Sequence, residues 1–229
     1  MRMFNENKDS KNLNKVIIYF HSFFYEGKMI DELKEKLFEY DFKTPNLYMF
    51  FNTSENSLNS WVKQIREYIY EISKEYDEII IIGYSLGAIL AGFCSSMKEV
   101  KKIILISPTY RYTLNSETKK VFLEYSEEMI IKQSVDNFSL FLIVYTALIS
   151  MFEYELMNSA AELLFIQSID NSSLEFKRLN HLFKKIENNK NRMICMGSNS
   201  LEILEDKNSM RLLPLLINDF LRNEVENEK

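Results

Sequence analysis

The stretch Ile79-Ile-Ile-Ile-Gly-Tyr-Ser-Leu-Gly-Ala-Ile-Leu90 decides how this chain is read. Four consecutive isoleucines are apolar on both faces of any strand they form, which suits a strand buried inside a sheet. The run meets Gly83-Tyr84-Ser85-Leu86-Gly87 and passes at once into a helical pattern, Leu86-Gly-Ala-Ile-Leu-Ala-Gly-Phe93. So abrupt a turn gives Ser85 the setting of a nucleophile. A serine hydroxyl needs a base to take its proton, and the 229 residues include two histidines, His21 and His181.

Outward from this stretch, strand and helix patterns alternate. Val16–Phe20 is a short apolar strand, and Ile30, Leu33, Leu37 and Tyr40 then recur at helical spacing. Asn46–Phe51 reads as the next strand. Ser57 or Asn59 is placed to cap a helix whose stripe is Trp61, Ile65, Ile69, Ile72 and Tyr76. Leu86–Met97 reads as a helix and Lys102–Ile106 as a strand. Leu163–Ile166 and Arg192–Met196 read as later strands, each followed by a helix. Strands apolar on both faces, alternating with helices, predict an α/β class: a mostly parallel sheet with helices on both faces. A solvated tail over residues 1–14 and one domain over 15–229 are expected, since no linker or repeat interrupts the pattern. Two helical patterns without a strand fill Thr109 to about Asn158, the second running from Phe138 to Met157. The first, at about 109–137, reads as a small helical cap over the carboxyl ends of the strands, where open α/β sheets bind ligands.

Composition narrows the function. The net charge of −5 arises from 28 basic and 33 acidic residues spread along the chain, so no basic stripe offers a footprint for nucleic acid or an anionic membrane. The longest uncharged run, Asn137–Phe152, is shorter than the roughly 20 residues that span a bilayer. Cys94 and Cys195 lie in apolar runs and read as buried small hydrophobes, in keeping with a reducing cytoplasm. No metal or cofactor is expected, and oligomeric state is left open.

Strand, Gly-x-Ser-x-Gly and helix together make the nucleophile elbow. With it the chain resembles the α/β-hydrolase superfamily, particularly small bacterial carboxylesterases and thioesterase-like or monoacylglycerol-lipase-like members, over nearly all of Val16 to Leu221. The resemblance implies Ser85 as nucleophile and an oxyanion hole formed by the backbone N–H groups of Phe23 and Leu86. Here Tyr19-Phe-His21-Ser22-Phe23 stands where the family has His-Gly, with Ser22 in the usual glycine's place. It implies Asp170, after Leu163-Leu-Phe-Ile-Gln-Ser-Ile169, as the triad acid. It also places Ser200 of Gly197-Ser-Asn-Ser200 where the family carries its histidine. A pocket lined by Phe23, Phe24, Tyr84 and Tyr110, with His21 beside it, would favour a small apolar acyl or aromatic group.

Neither histidine fills the gap directly. His181 lies eleven residues beyond Asp170, roughly 16 Å along a helix, and reads as a surface residue. His21 belongs to the oxyanion loop. Glu202 is near the vacant position, but a carboxylate with a pKa near 4 is a poor base for a hydroxyl. Removing the histidine of a serine triad costs on the order of 10⁶ in kcat. The sequence therefore leaves open a weak or unconventional hydrolase, a non-hydrolytic protein that binds an apolar ligand or a partner, and an epimerase or lyase using the same pocket.

Overall fold

A computed structural model describes residues 14–21, 28–46, 58–108, 149–169, 174–186, 188–197, 203 and 206–222. The described elements are β1 (Lys15–Phe20), α1 (Lys28–Lys36), β2 (Asp41–Lys43), α2 (Leu58–Ile72), β3 (Glu78–Tyr84), α3 (Leu86–Gly92), β4 (Val100–Ile106), the helical segment α4 (149–157), β5 (Glu162–Ile169), α5 (Leu174–Lys185), β6 (Arg192–Gly197) and α6 (Lys207–Arg222). The strands form one six-stranded sheet in the order β2-β1-β3-β4-β5-β6. Every pairing is parallel.

Two-residue alternation divides the strand side chains between two cores. Val16, Ile18, Phe20, Ile79, Ile81, Ile103, Leu105, Leu163 and Phe165 face one way and pack under α2, α3, α4 and α5. Ile17, Tyr19, Ile80, Ile82, Tyr84, Ile104, Ile106, Leu164 and Ile166 face the other way, under α1 and α6. Ile79 through Ile82 are completely buried, so neither face of β3 is open to water. Each such side chain contributes about 1.5–3 kcal/mol.

Buried charges are held by partners. Lys102, on β4, donates from Nζ to the carbonyls of Phe220 and Leu221 at 3.0 Å each, and lies 5.3 Å from the Phe220 ring centroid. The carbonyl end of α6 thus stabilises a cation inside the protein. Arg66 of α2 pairs with Glu155 of α4 at 2.7 Å and donates to the Phe93 carbonyl, while Ser96 donates to Glu155 at 2.6 Å. This cluster fixes the turn that follows α3.

Several expectations need correction. β2 occupies Asp41–Lys43, ahead of the apolar run expected to form it; of that run only Asn46 is described, and it is not in a strand. α3 stops at Gly92, short of Met97, because the chain turns there: Phe93 N–H donates to Leu90 and Met97 N–H to Cys94. Asn59 lies inside α2, while Ser57 is outside the described residues. Asn14, assigned to the tail, is tied in, its carbonyl accepting from the N–H groups of Asp77 and Glu78. The proposed cap at 109–137 lies outside the described residues. Among those described, no helix is long and apolar enough to cross a membrane.

The cysteines also separate. Cys94 is fully buried, but Cys195 is exposed on β6, which among the described residues is an edge strand paired only with β5. Burial pushes the Cys94 thiol up to about 12, which leaves almost no thiolate at pH 8. Iodoacetamide at pH 8 should therefore modify one thiol in the native protein and two in denaturant. Peptide mass spectrometry should place the native adduct on Cys195.

Candidate active site

The chain leaves β1 for one edge of the sheet and returns at β3 to build the other. Open α/β sheets bind ligands in a crevice at the carboxyl ends of the strands where the strand order reverses, which here falls between β1 and β3. Phe20 pairs with Gly83 and Tyr84 with Ile106. The residues that step off these strands at the crevice are His21 and Ser85.

Ser85 has φ 55° and ψ −117°, a region that non-glycine residues rarely occupy and that costs of order 1–3 kcal/mol. The surroundings hold it there. Its N–H donates to the Ile106 carbonyl at 2.9 Å, extending the ladder, and its carbonyl accepts from Ala88 N–H at 3.1 Å, starting α3. A serine preceding a helix ordinarily caps it, yet the Ser85 side chain makes no capping hydrogen bond. Two glycines allow the turn. A Cβ on Gly83 would lie 2.5 Å from the Gly87 carbonyl oxygen and 2.6 Å from the Ala88 Cα. One on Gly87 would lie 2.6 Å from the His21 carbonyl oxygen and closer still to that of Phe20. The close seating of α3 therefore depends on hydrogen at both positions, at Gly83 where it lies on β3 and at Gly87 where it meets the end of β1.

His21 is buried directly after β1, its backbone against Gly87. Leu86 is the first residue of α3, where backbone N–H groups have no partner within the helix. His181 lies exposed on α5, a surface position as expected. Tyr84, expected to line a pocket, has no exposed surface; it continues the Ile80 and Ile82 side of β3 and packs beneath α1 and α6. The alternation Ile80, Ile82, Tyr84 was the signal for this. Phe23, Phe24, Tyr110, Asp170 and Ser200 lie outside the described residues. β5 ends at Ile169, immediately before Asp170, and β6 ends at Gly197, three residues before Ser200.

Two residues that the sequence reading passed over stand in the same row. Ser107 and Gln167 follow Ser85 across the carboxyl edge, just past β4 and within β5, and each has a buried side-chain oxygen without a hydrogen-bond partner among the described residues. The sequence signal is a polar residue closing each apolar run, Leu105-Ile106-Ser107 and Phe165-Ile166-Gln167.

Neither protein-family models nor curated protein sequences match the chain. Its architecture does match solved structures. A chain of the metagenome-derived lipolytic enzymes LipS and LipT superposes with TM-score 0.66 at 13% identity, covering 91% of this chain and 94% of the other. The Paleococcus ferrophilus monoacylglycerol lipase gives 0.61 at 14% identity, with coverages of 90% and 93%. A thioesterase domain from the curacin biosynthetic pathway gives 0.55 at 13% identity, with coverages of 91% and 92%. The chain has the α/β-hydrolase fold.

Proposed function

We propose that the protein is a serine-hydrolase-like member of this fold group whose nucleophile, Ser85, reacts slowly with an acyl ester, thioester or amide because no histidine stands at the usual place for its base. The observation that carries this is the Ser85 backbone, held at φ 55° beside the crevice by two glycines that tolerate no side chain. Strain of that kind is retained where surrounding contacts enforce it, and it clusters at sites that use it. In this reading, the N–H groups of Phe23 and Leu86 stabilise the tetrahedral oxyanion. Asp170 is the acid, Ser200 occupies the histidine's position, and with no imidazole there the proton of Ser85 is lost to solvent water without an efficient base to take it. Small esters, with a largely apolar acyl or aromatic part, are the substrate class.

A second reading has a specific support. His181 is on the surface and His21 is buried against the Gly87 backbone, so the same pocket could hold a ligand without hydrolysing it, or serve an epimerase or lyase.

Hydrolysis of p-nitrophenyl acetate separates these readings. The parent's kcat is expected to lie several orders of magnitude below that of a complete triad, and the part of it that passes through Ser85 should disappear in Ser85→Ala. Asp170→Asn should change the residual rate by less than about tenfold, since it has no imidazole to orient, whereas a working triad loses roughly 10⁴. A several-thousandfold loss would reveal an imidazole in use. If His21→Ala abolished activity in a folded protein, that imidazole would be His21. A rate unchanged by Ser85→Ala would favour the non-hydrolytic reading.

A further inference from the structure

Among the described residues, Ser85 and Ser107 are the non-glycine positions with positive φ, at 55° and 42°. They stand side by side. Tyr84 pairs with Ile106 and Ile106 with Ile166; Ser85 N–H donates to the Ile106 carbonyl at 2.9 Å and Ser107 N–H to the Ile166 carbonyl at 2.8 Å. Ser85, Ser107 and Gln167 are thus successive members of one row across three adjacent strands. At a strand spacing of 4.7–4.9 Å, Ser107 is about 5 Å and Gln167 about 10 Å along the row from Ser85.

Gln167 is 4% exposed. Its Nε2 donates to the Ser168 carbonyl at 3.3 Å. Because a carbonyl can only accept, this contact orients the amide and leaves Oε1 as the atom without a partner. The Ser107 hydroxyl oxygen is likewise buried and unpartnered. By strand alternation Gln167 belongs to the face shared by Leu105 and Phe165, and Ser107, at φ 42° just past β4, is placed beside it by the bond from its N–H to the Ile166 carbonyl. Ser168, whose hydroxyl is also unpartnered, belongs to the opposite face with Leu164 and Ile166. An unsatisfied buried polar atom costs about 1–3 kcal/mol, and two of them sit next to the one strained serine the proposed chemistry uses.

We infer that Ser107 and Gln167 form a polar subsite beside Ser85 that takes a hydroxyl carried on the ligand's acyl chain, about six bonds from the reacting carbon. This inference rests on the reading of Ser85 as the reacting group. A hydroxyl both donates and accepts, so it fits an amide oxygen, which only accepts, and a serine hydroxyl, which does either. The ligand class becomes an acyl derivative, apolar along most of its chain, with a hydroxyl near its end.

The test uses 6-hydroxyhexanamide and heptanamide, matched in length, as unreactive ligands binding the Ser85→Ala protein, measured by calorimetry. Using them on a protein without its nucleophile separates the subsite from the hydrolysis: loss of esterase activity would leave this measurement intact. The hydroxylated ligand should bind about tenfold more tightly, the ratio expected for one good buried hydrogen bond. Adding Gln167→Met, close in shape and without the acceptor, should bring the ratio to about one, as should Ser107→Ala. The melting temperature gives a readout that loss of a structural role would lower. Unliganded Gln167→Met loses an orphaned acceptor together with the long 3.3 Å bond from Nε2 to the Ser168 carbonyl, and should melt within about 2 °C of its parent. Equal binding of the two amides, a preference that survives Gln167→Met and Ser107→Ala, or a fall of several degrees in the melting temperature of Gln167→Met would overturn the subsite.

Discussion

Ser200→His is expected to raise hydrolysis of p-nitrophenyl acetate by about 10²- to 10⁴-fold. A serine triad without its histidine gives up on the order of 10⁶ in kcat, and the proposed arrangement keeps everything else: Ser85 at its strained turn, the N–H groups of Phe23 and Leu86, and Asp170. An imidazole supplied at position 200 restores the base. Recovery falls short of complete because no neighbouring side chains have been selected to hold the new ring, and misplacement of about 1 Å costs on the order of 10². Adding Ser85→Ala should abolish the gain. Adding Asp170→Asn should remove most of it, whereas the same change in the parent does little. A folded Ser200→His protein no faster than its parent would mean that the site has been reshaped for another purpose.

Gly87→Val should destabilise the protein by about 3 kcal/mol or more. Helix propensity argues the other way, since glycine inside a helix is about 1 kcal/mol worse than alanine. The contact decides the sign. The new Cβ would meet the carbonyl oxygens of Phe20 and His21, which are backbone atoms at the end of a central strand and cannot rotate aside, and overpacking of this kind costs about 1–3 kcal/mol or more. At about 2–4 °C per kcal/mol for a chain of this size, the melting temperature should fall by roughly 6–12 °C. Gly197→Ala is the control. Nothing lies within 4 Å of the added atom, and its effect should stay within about 0.5 kcal/mol. Similar losses in the two variants would remove the steric account of the elbow.

What could be read in the sequence was local. The isoleucine run, the Gly-x-Ser-x-Gly turn and the helix after it lie within one short segment, so a single window carries strand, turn and candidate serine. The parallel sheet followed from strands that are apolar on both faces. β2 escaped because Asp41-Phe-Lys43 is a three-residue edge strand with two charges, and the more apolar run just beyond it carries the stronger β pattern. Tyr84 was legible but misassigned: a residue next to Ser85 in sequence still obeys the alternation of its strand, which turns it into the opposite core. Cys195 sits in an apolar run that ends on an edge strand, and no local pattern distinguishes an edge from a centre. The row Ser85, Ser107, Gln167 depends on register between strands far apart in sequence. Only the fold brings those three together.

The central claim is that Ser85 is a presented nucleophile lacking an efficient base, and covalent labelling tests it most directly. Incubation with a fluorophosphonate at pH 8, followed by peptide mass spectrometry, should find the adduct on Ser85, formed orders of magnitude more slowly than in an esterase with a complete triad and absent in Ser85→Ala. No adduct on Ser85 after prolonged incubation of the folded protein, or labelling as fast as that of a complete triad, would contradict the claim.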